Sequence, residues 1–170
     1  VSVVEIRSQE SAGGEVTLEE GMHMSLAFSL EAARSSDEPL VIGFLAAVKL
    51  PIEGLRGRFP EGYVVAQRQG VLVGVAGVEL YDDVALLRSV AVVEGRRSLG
   101  VGRSLVENRL GFAKARGVER VFLLTTTAES YFSRLGFSPA NRAEVSPALA
   151  ASAEFASACP TSAACLVFAF

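Results

Sequence analysis

Apolar and polar positions along this chain change period several times, and each change predicts an element. Leu26 to Ala33 predicts a first strand. Ser35-Ser36-Asp37-Glu38-Pro39 predicts a helix start, because a capping side chain and an early proline both suit a first turn; the helix runs to about Val48. Leu50 to Pro60 reads as a loop or a second short helix. Tyr63 to Arg68 and Val71 to Tyr81 flank Gln69-Gly70 and predict a hairpin. Asp82-Asp83 predicts the next turn, and Val84 to Val93 returns beside it. If that turn has two residues, Tyr81 faces Val84, Glu79 faces Leu86 and Gly77 faces Arg88. Glu79 and Arg88 then become diagonal neighbours on one sheet face, within reach of long side chains.

Beyond Glu94 the period becomes helical. Leu105, Val106, Leu110 and Ala113 recur at helix spacing from Gly102 or Arg103, and Gly117 is a natural stop. Val121 to Thr126 predicts a buried strand, parallel to Leu87–Val93 because a strand–helix–strand crossover joins them. A short helix follows from Ala128 to Leu135, ended by Gly136. Ser146-Pro147 predicts another helix to about Ala158, which Cys159-Pro160 breaks. Ala163 to Phe170 predicts a central strand that closes the sheet.

Composition narrows the class. A length of 170 residues, half of them hydrophobic, suits one domain with a real core. No apolar run approaches the ~20 residues of a membrane span. The net charge of −3 does not argue for nucleic acid. Residues 1–24 read as a loosely attached extension before a domain of residues 25–170, with an added strand near Val3 to Arg7 as the alternative. Two cysteines without a secretory pattern suggest a reducing cytoplasm. Cys159 and Cys165 lack the paired spacing of a metal site and read as small buried residues. No metal is expected. His23, the only histidine, lies in the extension and is not expected to be catalytic.

The chemistry concentrates in Leu87 to Arg116: strand, tight loop, helix. The loop holds Arg97-Ser98-Leu99-Gly100-Val101-Gly102. Its glycines remove Cβ atoms that block close backbone approach, and the next helix begins with free N–H groups at the positive end of its dipole. Such a loop suits a phosphate or pyrophosphate. A structural strand-to-helix turn is the plainer alternative.

These residues carry a resemblance. Val90-Ala91-Val92, then Arg97-x-x-Gly100-x-Gly102, then Ala128 to Gly136-Phe137, resemble the GCN5-related N-acetyltransferase (GNAT) superfamily. The resemblance implies a single-domain α/β (α+β) fold. Its mixed central sheet has about six or seven strands flanked by helices, with two splayed parallel strands forming a cofactor cleft. It also implies acetyl-CoA as co-substrate, a small-molecule amine as acceptor, and direct attack in a ternary complex; dimerisation is common in such proteins. On that alignment Val90, Ala91 and Val92 meet the pantetheine arm. Arg97, Ser98, Leu99, Gly100, Val101, Gly102, Arg103 and Ser104 hold the pyrophosphate, with Thr125 and Phe132 as further cofactor contacts.

The family's usual acid tyrosine aligns with Phe132, and its neighbour Tyr131 points about 100° away on a helix. Water is therefore the expected proton source, with Tyr131 as the alternative acid. Glu79 is the candidate base or ammonium binder, and Arg88 the candidate binder of a substrate anion; an ion pair between the two is the structural alternative. Leu87-Arg-Ser-Val-Ala-Val, Leu123-Leu-Thr-Thr-Thr-Ala-Glu, Phe132-x-x-Leu-Gly-Phe and Glu154-Phe to Cys159-Pro-x-Ser-Ala are most similar to the arsenic-resistance-associated branch of that superfamily. That likeness implies an amino-acid-like acceptor, arsenic-containing in one version. Two further readings are a non-catalytic acyl-CoA sensor and binding of trivalent arsenic by the two cysteine thiolates.

Overall fold

β-Branched and alternating apolar segments assemble into a seven-stranded sheet of order β1-β2-β3-β4-β5-β7-β6. The computed structural model describes residues 28–93 and 100–170. The N-terminal extension, and with it the alternative of a strand near Val3 to Arg7, lies outside the described residues. The strands are β1 Ser29–Ala32, β2 Tyr63–Arg68, β3 Val71–Tyr81, β4 Val84–Val92, β5 Arg120–Thr125, β6 Ser138–Pro139 and β7 Ala164–Ala169. The helices are α1 Glu38–Ala47, α2 Val101–Lys114, α3 Glu129–Ser133 and α4 Pro147–Ala150. Among the described residues no helix is long and apolar enough to cross a membrane.

Helix α2 covers one face of the sheet through Leu105, Val106 and Leu110, against Leu87, Val90, Val92, Leu123 and Phe132. Helix α1 covers part of the other face with Val41 and Leu45 against Val65, Val75 and Ala91. The C-terminal segment covers the rest of it, with Leu149 and Phe155 against Leu86, Phe122 and Leu124. Every residue of β4 is buried, as a strand covered on both faces requires.

The predicted hairpin register holds, with Tyr81 opposite Val84, Glu79 opposite Leu86 and Gly77 opposite Arg88. The pairing then slips, and Val75 meets Ala91. Ser89 takes the extra place at φ 56°, so the strand bulges. That is why Leu87 and Val90, three positions apart, share the α2 face.

One expectation changes and one strand is new. The helix expected from Ser146 to Ala158 is two pieces, α4 and a π-helical turn Glu154–Ala158. Ser146 caps α4 by accepting from Leu149 N, as its side chain predicts. Of the two readings for Leu50 to Pro60, the loop holds: the segment forms turns and the second short helix is absent. A strand at Ser138–Pro139 was not expected; two residues carry no period, yet they place β7 between β5 and β6.

Candidate functional site

β4 and β5 pair in parallel only at Val84–Arg120, Ala85–Val121 and Leu86–Phe122. Both strands continue, to Val92 and Thr125, without further pairing. The bulge at Ser89 turns β4 away just where β5 runs on, and the seam between them opens. A cleft of about 530 Å³ fills the opening, lined by Val90, Val92, Gly102, Thr127, Ala128, Ser130, Tyr131 and Arg134. The first turn of α2 stands at its edge. Gly100 is the N-cap at φ 76°, and among the described residues no side chain caps the first amides. A helix start in this state offers unpaired N–H groups and a positive dipole end.

The expected cofactor residues distribute as follows. Val90 and Val92 line the cleft; the Ala91 side chain points to the opposite face, into the α1 core. Val101 is buried, and Gly102 lines the cleft. Arg103 is exposed and ion-paired to Glu107 at 2.7 Å, while Ser104 starts the intrahelical ladder by donating its N–H to Gly100 O. Thr125 is buried, and its Oγ1 accepts from Ala128 N at 3.0 Å, closing the turn into α3. Phe132 is fully buried and packs edge-on against Phe137 at 5.7 Å. Arg97, Ser98 and Leu99 lie outside the described residues.

Glu79 and Arg88 meet as the register requires. Arg88 Nη1 donates to Glu79 Oε1 at 2.7 Å. Arg88 Nη2 donates to the Glu53 carbonyl at 2.7 Å, and Nε stands 3.1 Å from Glu154 Oε1. The other Glu79 oxygen accepts from the Tyr81 hydroxyl at 2.5 Å and lies 3.7 Å from Arg58 Nη1. Burial and the bond to Glu79 push the Tyr81 hydroxyl up to about 12. Glu154 is raised by burial, with Arg88 opposing. Sequence reasoning missed Glu154, Tyr81 and Arg58. A single acid within the run Ala-Ser-Ala-Glu154-Phe155 was the available signal for the first.

Glu79 does not line the β4–β5 cleft. It lines a second cavity, of about 360 Å³, with Arg58, Gly62, Val78, Leu80 and Phe112. Cys159, which follows the π-helical turn, and Cys165, on β7, are free and buried in the core they share with Leu149 and Phe155.

The acetyltransferase (GNAT) family model matches residues 28–137. The chain belongs to the GNAT family. It is 36% identical over 76 residues to an uncharacterised N-acetyltransferase of Chlorobaculum tepidum, covering 44% of this chain and 48% of that one. It is 33% identical over 81 residues to an amino-acid acetyltransferase of Mannheimia succiniciproducens, covering 46% of this chain and 18% of that one. The chain thus spans less than half the length of these curated relatives. Among solved structures it resembles N-acetylglutamate synthase from Neisseria gonorrhoeae complexed with coenzyme A and L-arginine. That match has a TM-score of 0.72 at 20% identity over 84% of this chain and 33% of that chain. A Mycobacterium tuberculosis protein in complex with CoA matches with a TM-score of 0.70 at 20% identity, over 84% of this chain and 99% of that chain.

Proposed function

We propose that this GNAT chain transfers an acetyl group from acetyl-CoA to the amino group of a small, amino-acid-like molecule, by direct attack in a ternary complex. The observation that carries the reading is the open β4–β5 seam with a helix start at its mouth. The relatives support it, since they include amino-acid acetyltransferases.

The residues present fit an acyl-CoA. The β4 edge from Val90 to Val92 has no strand partner on its β5 side, so its backbone groups are free for a pantetheine amide. The amide near Val90 would polarise the thioester carbonyl. Amides at Gly100 to Ser104, with Arg97, Ser98, Leu99 and Arg103, would hold the pyrophosphate. Glu79 binds the acceptor ammonium and takes its proton. The three guanidinium nitrogens of Arg88 are all engaged, so Arg88 acts by fixing Glu79 and not on the acceptor itself. Arg58, half-exposed above Glu79, is the cation left facing the cavity for an acceptor carboxylate. Proximity and a neutral amine supply most of what thioester aminolysis needs.

The arsenic-related acceptor and a cytoplasmic setting remain part of this proposal, resting on the sequence likeness. The test follows thiol release from acetyl-CoA against a panel of amines, including amino acids and arsenic-containing amino compounds. Acceptor-dependent release is expected, with Glu79→Gln lowering kcat/KM by about 10²-fold. A chain that binds CoA and releases no thiol with any amine is a binding module, and the catalytic reading falls.

A further inference from the structure

A Cβ built on Gly102 would lie 2.7 Å from the Tyr131 hydroxyl and 3.5 Å from Val92 Cγ2. The hydroxyl therefore stands over the second residue of α2, at the helix start. Gly102 leaves room for it. Tyr131 and Phe132 are helix neighbours about 100° apart, which explains their division of labour. Phe132 turns into the core, and Tyr131 turns toward α2.

The Tyr131 hydroxyl makes no hydrogen bond to a described residue. Arg134, one turn along α3, lines the same cleft, is exposed, and forms no ion pair with a described residue. Arg103 is committed to Glu107 by contrast. The Tyr131 oxygen feels the charges of Arg134 and Arg103, and burial keeps its proton on. A neutral donor, an uncommitted guanidinium and a set of helix-start amides thus border one opening. Together they suit a group with several anionic oxygens.

Resting on the acetyl-CoA reading above, we infer that Tyr131 and Arg134 hold the nucleotide phosphates, the Tyr131 hydroxyl donating to the diphosphate seated on the first turn of α2. Tyr131 is then a cofactor-binding residue and not the acid that protonates the departing thiolate. That thiolate leaves without such help, since an alkyl thiol has a pKa near ~8.5.

Calorimetric titration of the full chain with CoA and with 3′-phospho-ADP, which keeps the phosphates and lacks the thiol, tests the assignment. Tyr131→Phe and Arg134→Gln are each expected to weaken both ligands by about ten- to a hundredfold, the size of one hydrogen bond to a charged group. Tyr131→Phe removes only an oxygen, and an unchanged melting temperature confirms the fold. Unaltered affinity for either ligand overturns the inference. So does a loss confined to CoA, which alone carries the sulfur. Failure of the unsubstituted chain to bind CoA overturns the acetyl-CoA reading itself, a separate outcome.

Discussion

At Arg88 a single guanidinium ties three segments together: Glu79 on β3, the Glu53 carbonyl in the loop after α1, and Glu154 on the π-helical turn. Arg88 and Glu154 are almost wholly buried. Removing one partner of a buried pair leaves an uncompensated charge, so Arg88→Met should cost about 3–5 kcal/mol in urea unfolding. Loss below ~1 kcal/mol would show that the carboxylates find water instead. Glu154 gives the cluster a pH dependence. Its folded carboxyl is raised, by burial first, against the pull of Arg88. A raised acid binds its proton more tightly in the folded state. Its contribution is complete below the ordinary carboxylate range and is lost as pH rises through the raised value. Glu154→Gln should therefore flatten the decline of stability as pH rises above the ordinary carboxylate range, measured as unfolding free energy at each pH. An identical slope in the variant would remove Glu154 as its source.

Within the elements, the β3–β4 hairpin shows what the sequence could disclose. The two-residue turn Asp82-Asp83 fixed the register from Tyr81 to Gly77 and so predicted the Glu79–Arg88 contact. The bulge at Ser89 was not legible, because a strand buried on both faces has no alternation to interrupt. The glycine loop and helix α2 were legible as a motif; the open seam was implied only by family likeness, since no local pattern records where two distant strands stop pairing. The Arg88–Glu154 contact was not legible for a related reason: the partners are 66 positions apart in the sequence, and Arg88 already had a nearer acid to satisfy it. Gly77 is a local feature with a checkable packing reason. A Cβ there would stand 2.5 Å from Tyr63 Cε1, on the strand paired beside it. Gly77→Ala should cost about 1–3 kcal/mol as an overpacked site. Adding Tyr63→Leu to Gly77→Ala should cost less than the sum of the two changes in a double-mutant cycle of unfolding free energies. Strict additivity would mean that the ring moves aside freely.

For the whole molecule, the last strand matters more than its position in the chain suggests. The family match ends at residue 137, yet β7 pairs with all six residues of β5 and also holds β6. It buries Cys165 and Leu166 against the strands that border the cleft. Without it, β5 becomes an open edge with an unpaired row of N–H and C=O groups, and the outer wall of the seam loses its support. A chain ending before Ala163 is therefore expected to lose cooperative unfolding, since the missing ladder holds β5, which joins the α2-side core to the C-terminal one, while β4 contributes to all three. Circular dichroism melts would show a broad transition in place of a sigmoid one. A peptide of residues 163–170 supplied in trans should restore part of the transition by pairing with β5. If the shortened chain melts sharply and still binds CoA, β7 is an accessory to the cleft and not part of its frame. The same comparison bears on Tyr131 and Arg134, because α3 connects β5 to the β6–β7 edge and its orientation depends on both sides being held.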